Sequence, residues 1–174
     1  MEGQPVTQRE VTFPANEYLV SRTDLKGIIT YANDAFVKIS GFSREELIGK
    51  SHNLVRHPDM PPAAYKDLWS TIGRGSPWTG MVKNRRKNGD HYWVRANVTP
   101  VLEGGRVTGY MSVRTTPGRD EVAAAEALYA EVGWDAVTMD QVARRARLSR
   151  ALLYVYFRDK ADLHFALVER ALDA

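Results

Sequence analysis

The chain contains no cysteine, and that absence removes disulfides, thiolate zinc sites, iron–sulfur clusters, thioether-linked haem and cysteine nucleophiles in one step. Any redox chemistry must then reside on a bound cofactor. No apolar run is long enough to span a bilayer, and the start, MEGQPVTQRE, has neither a hydrophobic core nor a small-residue cleavage site. The expectation is therefore no membrane span, no secretion and a cytoplasmic location. Phosphate-cradling loops are missing too: Gly73-Arg74-Gly75 runs into Ser76-Pro77-Trp78, which breaks GxGxxG, and no GxxxxGK[ST] occurs. Gly41-Phe42-Ser43-Arg44-Glu45 lacks the second glycine of a nucleophile elbow. Nucleotide hydrolysis, nicotinamide-dependent dehydrogenation and serine hydrolysis are all disfavoured, and the protein reads as a non-enzyme.

What is present is an ordinary globular composition: 174 residues, 44% hydrophobic and 26% charged, with a formal charge of +3. That surplus permits nucleic-acid contact without demanding it. The character of the chain changes at Thr115-Thr116-Pro117-Gly118, where strand-like residues give way to the alanine-rich run 121–128. Residues 1–118 carry 16 basic and 11 acidic side chains, and residues 119–174 carry 8 and 10, so the tail is slightly acidic. Three parts follow: a flexible arm at 1–14, a domain at 15–118 and a second domain at 119–174.

In the first domain, Tyr18-Leu19-Val20 and Ile28-Ile29-Thr30-Tyr31 predict a hairpin around the turn 24–27. Asn33 is placed to cap a short helix, and Ser43-Arg44-Glu45-Glu46 has the form of a capping box. Ala64, Tyr65, Leu68, Trp69 and Ile72 recur at threes and fours, the spacing of one buried helical stripe. Strands are expected at 78–86, 91–102 and 107–114, joined by turns containing Asn88-Gly89 and Gly104-Gly105. The sum is an α+β fold, a five-stranded antiparallel sheet with flanking helices and a pocket between them. The second domain reads as small and all-α, with helices at 139–146 and 150–157 joined by Arg147-Leu148-Ser149, a helix-turn-helix spacing.

Three stretches carry a resemblance: Ile29-Thr30-Tyr31-Ala32-Asn33-Asp34-Ala35-Phe36, His52-Asn53-Leu54-Val55-Arg56-His57-Pro58-Asp59-Met60-Pro61, and the run from Val82 through Asn84-Arg85-Arg86-Lys87-Asn88-Gly89 to Asn97. Through them, residues 16 to about 116 closely resemble the PAS sensor domain of bacterial aerotaxis receptors, a family that holds FAD. The resemblance implies a PAS fold and FAD, with Trp69, Arg56, His57, Asp59, Asn33 and Asn84 contacting or supporting the flavin. Physically the set is sensible. A flat ring needs an apolar wall, which Trp69 offers, and a partner for its polar edge, which Asn84 offers. Arg56 and His57 suit phosphate or an electron-rich ring, and Asp59 can orient either. Against this stand plainer readings: Trp69 filling the core of its helix, and His57-Pro58-Asp59 forming only a capped turn. A metal held by His52, His57 and Asp59 is disfavoured, because i and i+5 share no helix face, Pro58 interrupts the run and no fourth ligand is evident. A thiol-adduct light sensor of the LOV type is excluded by the missing cysteine. The cluster Lys83, Arg85, Arg86 and Lys87 reads as a solvated strand end and hairpin tip.

In the tail, Ala127-Leu128-Tyr129, Gly133-Trp134, Thr138-Met139, Val142-Ala143, Leu148-Ser149 and Leu153-Tyr154-Val155-Tyr156-Phe157 with Lys160 carry a second resemblance, to the DNA-binding head of TetR-type repressors. It implies contact with double-stranded DNA: phosphates through Tyr154, Tyr156 and Lys160 and a base edge through Arg150 at the recognition helix, with Thr138 and Ser149, the pattern's caps for the two helices, also in the DNA-binding set. Arg147 and Ala151 stand where that family commonly has glycine, and Leu152 where it often has a small hydroxyl residue. A single head reads a half-site, so a homodimer is expected. The combined expectation is a redox- or oxygen-responsive transcriptional regulator with an FAD-holding PAS domain. The alternative is a stand-alone flavin-PAS signalling module whose tail contacts a signalling protein and not DNA.

Overall fold

The computed structural model describes residues 5–132. The helix-turn-helix expectation, with Thr138, Ser149, Arg150, Tyr154, Tyr156 and Lys160, lies outside the described residues.

Five strands, β1 (Leu19–Asp24), β2 (Ile29–Ala32), β3 (Trp78–Arg85), β4 (His91–Glu103) and β5 (Arg106–Thr115), form one sheet in the order β2-β1-β5-β4-β3. Every pairing is antiparallel. Between β2 and β3 the chain makes the short helices α1 (Asp34–Ser40) and α2 (Arg44–Leu47), a 3₁₀ turn at His52–Val55, and α3 (Pro62–Gly73). The helix α4 (Arg119–Val132) follows β5.

The local signals act as the residues dictate. Asn33 caps α1, its Oδ1 accepting from the Phe36 amide at 3.0 Å. Ser43 and Glu46 form the reciprocal capping box of α2. Gly104 and Gly105, at φ +58 and +79, turn β4 into β5 through the left-handed region that glycine occupies without a Cβ penalty.

Alternation along β3, β4 and β5 divides the sheet into two faces. Trp78, Val82, Asn84, Ala96, Val98, Tyr110, Ser112 and Arg114 face the helices α1–α3. Arg95, of opposite parity, donates to Glu121 of α4, so α4 covers the other face, where its Val122 and Ala125 are buried. Burial on both faces explains why β3 is closed almost throughout.

Two expectations are corrected here. The segment from Thr7 onward is not a loose arm: the Thr7 amide donates to the Gly89 carbonyl at 3.0 Å, the His91 amide to Arg9 at 3.0 Å, and the Val11 amide to His91 at 2.7 Å. Lys83 and Arg85 are not solvated either, at 8% and 3% exposure. Because strand residues of one parity share a face, the arm and α4 close over side chains that a local reading places in water.

Candidate functional site

Between the inner sheet face and the helices lies a cavity of about 750 Å³ counting its open mouth, lined from β1, the 3₁₀ turn, α3, β3, β4 and β5. A concave, largely apolar lining with a few convergent polar groups is the usual form of an organic ligand site. Tyr65, Trp69, Trp78 and Tyr110 supply flat apolar walls, and Asn53, Arg56, Asn84 and Arg114 supply polar groups. Among the described residues, no aspartate or glutamate lines the cavity.

Of the residues expected from sequence, three meet here. Trp69, 41% exposed, stands at the mouth with its ring edge-on to Tyr110, centroids 5.9 Å apart. Its indole lies against the β1–β2 turn, where a Cβ on Gly27 would come within 3.1 Å of Cη2. The core-filling alternative for Trp69 therefore does not hold. Arg56 stacks its guanidinium over the Tyr65 ring at 3.9 Å, and its backbone bridges to Asn84 on the free edge of β3. Asn84 is 4% exposed.

The other three are placed around the cavity and not among its lining residues. Asn33 commits its side chain to the frame: besides capping α1, Oδ1 accepts from Val20 at 3.1 Å and Nδ2 donates to the Tyr18 carbonyl at 2.8 Å. His57 is fully buried, and its Nδ1 accepts from the Asp59 amide at 3.0 Å. Its ring packs edge-on against His91, centroids 5.9 Å apart. Asp59 receives Lys83 Nζ at 2.8 Å. Through Asp59 and Lys83 this segment is tied to β3. Burial, reinforced by the Lys83 charge, pulls the His57 imidazole down to about 4. Burial works to raise Asp59, but the Lys83 hydrogen bond and charge outweigh it and hold the carboxyl below its ordinary range.

The strongest polar feature was not legible in sequence. Arg114, 2% exposed, extends Nη2 to Ser21 Oγ at 2.9 Å and Nη1 to His52 Nε2 at 3.1 Å, its guanidinium 4.3 Å over the Phe36 ring. Burial lowers this arginine to about 10, still charged at neutral pH. Burial and the Arg114 charge press His52 down to about 3. The imidazole is thus neutral and accepts from the guanidinium. Arg114 Nε is buried without a hydrogen-bond partner.

Flat walls, a cationic floor free of carboxylates and an unsatisfied buried donor fit an aromatic ligand with an electron-rich edge. Among the described residues, no cluster of three ligating side chains is arranged for a metal, and no helix is long and apolar enough to cross a membrane.

Comparison with known proteins agrees with this frame. Residues 29–114 match the family described as the PAS fold, and residues 122–167 match bacterial regulatory proteins of the tetR family. The chain is 55% identical over 130 residues to the aerotaxis receptor of Escherichia coli (strain K12), covering 74% of this chain and 26% of the receptor. It is 32% identical over 96 residues to the nitrogen fixation regulatory protein of Klebsiella pneumoniae, covering 55% of this chain and 19% of that protein. It therefore spans only a minor part of either relative. Among solved structures, a light-oxygen-voltage domain studied with a flavin analogue aligns with TM-score 0.55 at 24% identity, covering 63% of this chain and 82% of that one. The dark structure of the blue-light photoreceptor Aureochrome1 LOV aligns with TM-score 0.56 at 21% identity, covering 62% and 84%. At such identities the likeness establishes the fold.

Proposed function

From the premise that the chain carries a PAS fold at residues 29–114, we propose that its cavity holds FAD and that the protein is a redox-responsive sensor, not an enzyme. The observation that carries this reading is the cavity itself, walled by Tyr65, Trp69, Trp78 and Tyr110, with Arg56 and Arg114 and no carboxylate in its lining. The 55% identity to an aerotaxis receptor supports it. A flavin, when bound, supplies reversible electron uptake that no side chain of a cysteine-free protein offers.

The residues of the chain divide the work. Trp69, Tyr110 and Trp78 exclude water from the ring and hold it flat. Asn84 provides a hydrogen-bonding side chain at the polar edge, and Arg56, held by its bridge to Asn84 and its stacking on Tyr65, offers positive charge to the pyrophosphate or the ring, with His57 and Asp59 as supporting residues behind it. Asn33 supports the site by fastening β1 to α1.

The output runs through α4, whose first turns are tied to the outer sheet face by Glu121 and which opens the region matching the tetR family. Thr138, Ser149, Arg150, Tyr154, Tyr156 and Lys160 then form the DNA-contacting head, working as a pair of heads in a cytoplasmic homodimer. A change at the cavity shifts the sheet against α4 and alters DNA affinity.

The test is the purified protein. Flavin absorption bands and salt-dependent duplex binding are expected, the binding weakened by Arg150→Ala and Tyr154→Phe. A colourless protein that takes up no FAD overturns the cofactor assignment. A yellow protein without duplex affinity leaves a flavin-PAS signalling module with a protein partner, a reading the slightly acidic tail favours.

A further inference from the structure

Among the described residues, Arg114 is a buried cation with no acid beside it. Removing a guanidinium from water is costly unless charge or hydrogen bonds replace the lost hydration. Here the replacements are neutral: Ser21 Oγ, His52 Nε2 and the face of Phe36. Nε has none. Arg56, the other cavity arginine, is half-buried and stacked on Tyr65, where solvent screens its charge. A packing role in the core calls for an apolar residue or an acid–base pair, and this arrangement is neither.

We propose that Arg114, oriented by His52 and Ser21, meets the polar edge of the cavity's ligand and makes the site prefer the reduced, more negative form of a flavin over the oxidised form. The proposal rests on the flavin reading above and adds to it the residue that discriminates the two states. The guanidinium is a fixed fork whose bonds to an anionic acceptor are stronger than those to neutral ones. Its charge sits at a buried position, Arg114 being 2% exposed, where a unit of added negative charge on the ligand is felt more than in water. His52 and Ser21 hold the fork in place whichever form is bound, since each presents it an acceptor and no competing positive charge.

The test is a redox titration of the yellow protein with dithionite as the reductant, which supplies two electrons while the ring takes one proton from water, leaving it with one more negative charge. Arg114→Met is expected to lose at least tenfold of the preference for reduced over oxidised flavin. For a two-electron couple that is a fall of about 30 mV in the midpoint. A midpoint equal to that of the unaltered protein overturns the proposal.

Arg114→Lys guards against a methionine variant that does not fold. A buried lysine loses its proton far more readily than arginine, and among the described residues the introduced amine meets His52, Ser21, Tyr92 and the Phe36 ring, with no carboxylate. Its midpoint is expected to track the unaltered protein at low pH and to fall below it as the amine deprotonates. Coincident curves across the pH range overturn the proposal. If the unaltered protein binds no flavin, the cofactor reading fails first; if it is yellow and the midpoints coincide, the role of Arg114 alone fails.

Discussion

Replacing Glu121 with alanine should detach the start of α4 from the sheet. Glu121 is 3% exposed. Its Oε1 accepts from Arg95 Nε at 3.1 Å and from Nη2, and its Oε2 accepts from the Gly118 amide at 2.7 Å. Three charge-assisted bonds are lost together, each worth about 1.5–3 kcal/mol when fully enclosed. Arg95, however, has a side chain 38% exposed, so water recovers much of its share, and Gly118 is exposed as well. The net loss is about 2 kcal/mol. In a chain of this size that lowers the melting temperature by roughly 4–8 °C, and the loss should concentrate in α4. Hydrogen exchange at the amides of α4 is the direct assay, with faster exchange there and unchanged protection in β4 and β5 as the expected pattern. As a control, Arg119→Ala removes the ion pair to Glu10 at 2.6 Å, whose arginine is 66% exposed, a solvent-screened pair worth about 0–1 kcal/mol. A Glu121→Ala protein that melts like the original, or whose α4 amides exchange no faster, refutes the idea that this carboxylate anchors the helix.

Other outcomes follow from the same geometry. His57 and His52 have folded values near 4 and 3, below the ordinary 6.5, so the unfolded chain binds more protons between those limits. Stability is complete above about pH 6.5 and declines as pH falls toward 4; denaturant unfolding across that range should show the slope, and His57→Gln should make it shallower, whereas a flat profile in the original protein removes its basis. Gly27→Val forces a β-branched residue to φ +82 and into the Trp69 ring; FAD affinity, read by fluorescence titration, should fall about fivefold or more, a change of order 1 kcal/mol. Asn33→Ala loses the α1 cap, one bond to Val20 of β1 and one to Tyr18 just before it, lowering stability by about 2 kcal/mol while the folded fraction keeps its FAD affinity; a large loss of affinity at unchanged stability would place Asn33 in contact with the ligand.

Much of the architecture was legible because its signals are local. The Asn33 cap, the Ser43 box and the Gly104-Gly105 turn each act within a few residues, and strand alternation predicts a half-buried sheet. Trp69, Arg56 and Asn84 were identified through a resemblance and do line one cavity. Arg114 escaped because its partners, Ser21 and His52, come from β1 and the 3₁₀ turn, 93 and 62 positions away, and nothing local says which way a lone strand arginine faces. Lys83 and Arg85 were misread for a related reason. Whether the outer face of β3 is wet depends on the arm and α4, elements remote in sequence whose docking leaves no mark on the strand.

That the arm lies along the β3–β4 hairpin has a practical corollary for anyone handling the protein. Pro5 sits so near Gly89 that a Cβ there would come within 2.5 Å of its carbonyl oxygen, and Glu10 a few residues later grips Arg119. An affinity tag or reporter spliced ahead of residue 5 would tug on the thread that runs past the hairpin to the first residue of α4. Such a fusion is an experiment in its own right, not an inert handle.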